Sequence, residues 1–127
     1  MVGLVIVSHS EKLAEGVADL ARMMAKTAPV APAGGLEDGS FGTRFEKISN
    51  AVDEVYSDDG VLILMDMGSA VMTAEMVMEA MEDRKIVLAD CPVAEGAVTA
   101  AVGAEAGMGL EDILADLEQV GTQKKLQ

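Results

Sequence analysis

Three short apolar runs, Val2–Ser8, Gly60–Met67 and Lys85–Cys91, limit how this chain can fold more than any other feature. Each is too short to cross a membrane and too continuous to alternate between core and solvent. Such runs read as strands buried on both faces, which is the pattern of a parallel sheet covered by helices. A fourth run, Val30–Ala33, is weakened by Pro29 and Pro32, since proline donates no ladder hydrogen bond.

The segments between these runs have helical period. Leu13, Val17, Leu20, Ala21 and Met24 form one apolar stripe, and Phe45, Ile48, Val52 and Val55 form a second. Thr43 and Glu46 have the spacing of a capping box and predict the start of that second helix. Val71 to Met81 is apolar on nearly every side, which fits a buried helix or a subunit interface better than a cofactor-binding segment. Ala94 to Ala106 is rich in Ala and Val and ends at Gly107 and Gly109. Leu110, Ile113, Leu114, Leu117 and Val120 mark a last amphipathic helix.

The resulting order, β-α-β-α-β-α-β-α-α, predicts an α/β fold: a four-stranded parallel sheet with helices on both faces, joined by right-handed crossovers. A single domain is expected over residues 1–120, with a polar, frayed tail over residues 121–127. Only three of the 127 residues are aromatic, so Val, Ile, Leu, Ala and the ten Met are expected to fill the core.

The formal net charge of −13 opposes binding to nucleic acid or to an anionic membrane surface. It suits docking to a basic patch on a protein partner, and equally well a merely soluble cytoplasmic protein. Cys91 is the single cysteine, so no intrachain disulfide forms, as expected in a reducing cytosol. No charged n-region precedes a cleavable apolar stretch and no apolar run reaches 18 residues, so neither a signal peptide nor a transmembrane helix is expected. One His and one Cys cannot build a common structural zinc site.

Parallel strands bring their carboxyl ends to one edge, where ligands and reacting groups collect. Four turn segments are expected to meet there: Ser8-His9-Ser10, Gly34-Gly35, Asp66-Met67-Gly68-Ser69-Ala70, and Cys91-Pro92 with Glu95-Gly96. His9, the only histidine, is the candidate nucleophile for a transferred phosphoryl group. Asp66 is placed to accept a hydrogen bond from its other ring nitrogen and orient the imidazole. Gly68, Ser69 and Ala70 open a helix directly after a strand, an arrangement that favours phosphate, and with Ser10 they are expected to face it. Taken singly, each element has an ordinary explanation. A histidine after a strand is more often a loop residue, an aspartate there a turn residue, and a Gly-Ser pair plain helix capping.

Together these segments resemble a known family. Val-Ser-His9-Ser, Ala-Gly-Gly35 with Asp38-Gly39 and Gly42-Thr43, Leu-Met-Asp66-Met-Gly68-Ser69-Ala70, and Val-Ala-Glu95-Gly96-Ala97 are similar to the pattern of the phosphotransferase subunits of phosphoenolpyruvate-dependent dihydroxyacetone kinases. Those subunits are related to the mannose-family enzyme IIA domains of sugar phosphotransferase systems. The resemblance covers about residues 1 to 120, and the Met-Asp-x-Gly-Ser-Ala segment is its most specific part.

The resemblance implies that His9 is phosphorylated by the phosphocarrier protein HPr. It further implies transfer to ADP held on a nucleotide-binding kinase subunit, which phosphorylates dihydroxyacetone bound on a third subunit. It implies no cofactor on this chain, a homodimer, a cytoplasmic location, phosphate on Nε2 and Nδ1 facing Asp66. Domains that longer members carry are expected on separate proteins.

Two alternatives stay open at the level of sequence. One is a sugar-specific mannose-family enzyme IIA, which uses the same histidine. The other is a receiver-like signalling module phosphorylated on Asp66, disfavoured because Ser-His-Ser stands where such modules need acids for Mg²⁺. A dinucleotide-binding domain is excluded because no G-x-G-x-x-G follows the first strand.

Overall fold

In a computed structural model, which describes residues 1–126, the chain follows the expected alternation. The elements are β1 (Gly3–Ser8), α1 (Glu11–Met24), β2 (Val30–Gly34), α2 (Phe45–Val55), β3 (Val61–Met65), α3 (Ser69–Ala80), β4 (Ile86–Ala89), α4 (Val93–Glu105) and α5 (Leu110–Val120). The four strands form one parallel sheet in the order β2-β1-β3-β4. The chain leaves β1 toward β2 and then returns past it to β3, so the direction of winding reverses between β1 and β3. That reversal opens a crevice at their carboxyl ends.

The sheet is buried on both faces, which is why the strands read as continuous apolar runs. Leu4, Ile6, Leu62 and Leu64 pack with α1, α4 and α5. Val5, Val7, Val61 and Ile63 pack with α2 and α3 on the other side. The two-residue period of the strands sends alternate side chains to the two cores. The proline-weakened β2 survives because it is an edge strand and pairs on one side only.

Methionine does not fill the core as composition led us to expect. Among the described residues the buried apolar set is made of Val, Leu, Ile and Ala. Small residues let the helices approach closely instead: Ala97, Ala100, Ala101 and Ala104 of α4 are fully buried, and α4 lies against both α1 and α5. Helix α3 is not a core helix either. Ala70, Ala74 and Val77 face inward, while Met72 and Met76 are exposed.

The capping box predicted for α2 does not form. Arg44 is the cap residue and makes no side-chain cap hydrogen bond, and Glu46 instead accepts from the Arg44 guanidinium. Thr43 turns its hydroxyl toward α3, as described below. The tail is anchored over its described part: Thr122 and Gln123 donate backbone N–H groups to Gln119, and Lys125 pairs with Glu95 near the start of α4. Gln127 lies outside the described residues. No helix among them is long and apolar enough to cross a membrane.

Two glycines give opposite expectations. A Cβ on Gly34 would come within 2.5 Å of the Ser10 carbonyl and 2.6 Å of the Ala14 methyl, so α1 must move to admit it. A Cβ on Gly16, within α1, meets nothing. Gly34→Ala is therefore expected to lower stability by about 1–3 kcal/mol. Gly16→Ala is expected to raise it by about 0.5–1 kcal/mol through helix propensity. Urea denaturation of the two variants checks both signs.

Candidate active site

Parallel pairing in register sets the site. Val5 lies opposite Ile63 and Val7 opposite Met65, so the residues that follow, Ser8 and Asp66, leave the sheet side by side. The Asp66 N–H still donates to the Val7 carbonyl at 3.1 Å, which carries the pairing one step beyond the strand. His9 follows Ser8 at the mouth of the β1–β3 crevice.

Asp66 gathers four donors there. Its Oδ2 accepts from the Ser8 hydroxyl at 2.9 Å and from the His9 backbone N–H at 3.0 Å. Its Oδ1 lies 2.7 Å from the Met67 N–H and 3.1 Å from His9 Nδ1. Burial alone raises the pKa of this carboxyl. The hydrogen bonds from His9 N–H, Ser8, Met67 and the His9 ring outweigh burial and hold it below the ordinary carboxylate range. Asp66 therefore stays ionised and can only accept, so Nδ1 carries the proton in the His9–Asp66 contact.

That leaves Nε2 of a neutral ring as an acceptor, directed to the Ser69 hydroxyl at 2.7 Å. Ser69 is the first residue of α3. Its place depends on Gly68, which caps the helix with φ +52° and ψ −116°. A Cβ on Gly68 meets no neighbour, so backbone conformation alone calls for glycine here. The His9 side chain is 28 % exposed, enough for an incoming group to reach Nε2. Helix α3 directs its positive end toward this corner.

The remaining expected residues divide. The Ser10 hydroxyl accepts from Leu13 N–H at 3.2 Å and caps α1, and the Ser10 N–H donates to Ser8. Ala70 turns its methyl into the core, and its N–H is taken by the Met67 carbonyl at 3.0 Å. Gly34 and Gly35 lie under the first turn of α1, leaving it room to pack. The segment at Cys91 makes no hydrogen bond to His9 or Asp66. The Cys91 sulfur instead fills the space beside Gly96; burial, then the charge of Asp90, pushes this thiol up, away from the reactive thiolate. Glu95 is taken by Lys125.

Two site residues escaped the sequence reading. Ser8 is the one buried polar side chain among the described residues, and its hydroxyl accepts from Ser10 while donating to Asp66. A serine ending an otherwise apolar strand was the available signal. Thr43 reaches the site from the loop after β2, with its hydroxyl 3.3 Å from Ser69 Oγ and 3.0 Å from Thr73 Oγ1. Its spacing to Glu46 pointed to helix capping instead.

A histidine held by a carboxylate at the switch point of a doubly wound parallel sheet is found here in a chain whose sequence places it among the enzyme IIA-type domains of phosphotransferase systems. Residues 3–114 match the EIIA-man family, described as "PTS system fructose IIA component". The chain is 40% identical over 122 residues to the "PTS-dependent dihydroxyacetone kinase, phosphotransferase subunit DhaM" of Lactococcus lactis, spanning 96% of this chain and 98% of that one. It is 39% identical over 123 residues to the Escherichia coli "PEP-dependent dihydroxyacetone kinase, phosphoryl donor subunit DhaM", but spans only 26% of that longer protein. In fold it superposes on a phosphotransferase component EIIA from Streptococcus agalactiae with a TM-score of 0.72 at 16% identity, over 96% and 93% of the two chains. The chain thus belongs to the EIIA-man family and, within it, to the DhaM group of dihydroxyacetone kinase subunits.

The Asp66 geometry sets a pH dependence. A carboxyl held low in the folded state contributes stability that is complete above the unfolded carboxylate pKa, about 3.9. That contribution is lost as pH falls through the lower folded value. Asp66→Asn, which presents an amide to several N–H and O–H donors, is expected to cost about 1–3 kcal/mol at pH 7. The gap between wild type and variant should close as pH falls below about 4. Denaturant titrations across that range measure it.

Proposed function

We propose that this chain is a phosphohistidine relay that accepts a phosphoryl group from the phosphocarrier protein HPr and passes it to ADP on a dihydroxyacetone kinase subunit. One observation carries the reading: Asp66 holds Nδ1, which leaves the Nε2 lone pair to accept from the Ser69 hydroxyl at 2.7 Å, at the start of α3. In the first transfer, Nε2 attacks phosphorus and the donor's P–N bond breaks, its electron pair returning to the donor imidazole. The new P–Nε2 bond leaves positive charge on the His9 ring, which the Asp66 carboxylate offsets. In the second transfer, a terminal phosphate oxygen of ADP attacks phosphorus, and the electron pair of the P–Nε2 bond returns to His9. Ser69 and the start of α3 face the oxygens of the group in transit. Catalysis is mostly positioning and charge stabilisation.

The setting favours partners that are themselves proteins. Clefts of about 320 Å³, beside Glu11, Lys47 and Glu54, and about 1000 Å³, beside Leu20, Pro92 and Lys125, are not lined by His9, Asp66 or Ser69. Exposed Met67 and Phe41, next in sequence to Asp66 and Gly42, offer apolar surface for docking. In this reading the nucleotide stays on the kinase subunit and this chain binds no cofactor of its own. The relay works in the cytoplasm, in keeping with a single free thiol. The exposed Met72 and Met76 of α3 suit a homodimer contact, and light scattering is expected to give twice the chain mass.

With phosphoenolpyruvate, enzyme I and HPr, the chain is expected to be labelled at His9. The label should be lost in acid and survive alkali, the opposite of an acyl phosphate on Asp66. His9→Ala should fold and take no label. The labelled chain should convert ADP on the kinase subunit to ATP. Labelling of His9→Ala would overturn the site, and transfer to a sugar-transporter IIB domain instead of ADP would overturn the acceptor.

A further inference from the structure

In the unphosphorylated protein Ser69, His9 and Asp66 are linked in series. The Ser69 hydroxyl donates to His9 Nε2 at 2.7 Å, and Nδ1 donates to Asp66 Oδ1 at 3.1 Å. Hydroxyl, imidazole and carboxylate in this order, with these protons, are what activates a serine for attack on a carbonyl. The ring takes the hydroxyl proton, while the carboxylate fixes the tautomer and offsets the charge that forms. Phosphoryl transfer uses Nε2 as a nucleophile; toward Ser69 the same nitrogen is a base.

The surroundings of Ser69 suit that second role. It is exposed and is the first residue of α3, just past the carboxyl end of β3. Gly68, with φ +52° and ψ −116°, makes the sharp strand-to-helix turn that presents a nucleophilic serine above a parallel sheet. The lone pairs of Ser69 Oγ are not engaged by its threonine neighbours. Thr73 spends its one hydroxyl hydrogen on the Ser69 carbonyl at 2.7 Å, and Thr43 therefore donates to Thr73 at 3.0 Å. The Ser69 backbone N–H has no acceptor among the described residues, and a nucleophile's own N–H is one of the donors that stabilise a developing oxyanion. The Ala70 N–H is already taken by the Met67 carbonyl at 3.0 Å. An open corner with few oxyanion donors selects by reactivity more than by shape, which points to a small ester with a good leaving group.

We propose that Ser69 is an acylation site: the unphosphorylated chain takes the acyl group of a small activated ester onto Ser69 Oγ, with His9 as the base and Asp66 orienting it. Oγ attacks the ester carbonyl carbon as its proton passes to Nε2. The bond from that carbon to the leaving oxygen then breaks, and the leaving oxygen takes the electron pair and the proton held on Nε2. Phosphate on Nε2 removes the base, so acylation and phosphorylation exclude each other on one chain.

The test is incubation of the purified chain with p-nitrophenyl acetate, followed by mass spectrometry of its peptides. Acetyl is expected on Ser69, with a fast initial phase of p-nitrophenolate release. Ser40 is also exposed, but its hydroxyl donates to the Asp38 carboxylate, and it should stay unmodified. His9→Ala is expected to slow Ser69 acetylation roughly 100-fold or more, the range of general-base catalysis. Asp66→Asn should slow it as well. Wild type unfolded in urea should lose the preference for Ser69, since the three groups are then apart.

Equal acetylation of Ser69 and Ser40 in the folded chain would overturn the proposal, as would an unchanged Ser69 rate in His9→Ala or His9→Gln. A fast phase that survives in Ser69→Ala would place the attack on the imidazole and overturn it too. Persistence of the Ser69 preference in urea would assign the reactivity to local sequence instead of the folded site. No partner protein enters the experiment, so its failure leaves the relay reading standing, and a failure of HPr to label His9 leaves this result standing.

Discussion

The site depends on one constraint, the in-register parallel pairing of β1 with β3. Because Val7 lies opposite Met65, the two chains leave the sheet level with each other, and Asp66 emerges beside Ser8 and His9. A shift of one residue would turn alternate side chains to the wrong core and carry Asp66 away from the imidazole. The register is held by the burial of Leu4, Ile6, Leu62 and Leu64 on one face and Val5, Val7, Val61 and Ile63 on the other. Apolar packing far from the chemistry thereby sets the distance between a carboxylate and a ring nitrogen.

From that pairing the polarity of the corner follows by satisfying donors in turn. Asp66 emerges with its two oxygens among backbone N–H groups and the Ser8 hydroxyl, so it remains an anion although only 14 % exposed. An anion cannot donate, so the ring proton sits on Nδ1 and Nε2 is left to accept. The carboxylate thereby selects which nitrogen of His9 keeps its lone pair. This arrangement also weighs against Asp66 as the phosphorylated group, since both of its oxygens are already engaged. Gly68 completes the corner: only its unusual backbone lets α3 begin close enough for Ser69 to reach Nε2.

Much of this was legible in the chain. Runs buried on both faces announced a parallel sheet, and its carboxyl edge named His9 and Asp66 as neighbours before any coordinates. The errors share a cause. Methionine-rich α3 was open to reading as a core helix or as an interface helix; the core reading fails, because its inward face is made of Ala70, Ala74 and Val77, small side chains that allow close helix–sheet packing, while Met72 and Met76 are exposed. Thr43 read as half of a capping box, but a hydroxyl makes the contacts its surroundings offer. Ser69 and Thr73, distant in sequence, lay within reach while the helix end did not need it. Ser10 read as a phosphate neighbour by adjacency, and the first turn of α1 claimed its oxygen.

By itself the sequence determined the element order, the two-sided burial of the sheet, the edge at which chemistry gathers and the pair His9 and Asp66. Those follow from local periodicity and chain polarity, which need no knowledge of distant partners. Only the tertiary structure decided which polar side chains reach that pair: Ser8 and Ser69 in contact, Thr43 behind them, Cys91 and Glu95 turned to other neighbours. A hydrogen bond is set by a few tenths of an ångström and by competition among all donors within reach, and that competition exists only once the strands and helices have packed.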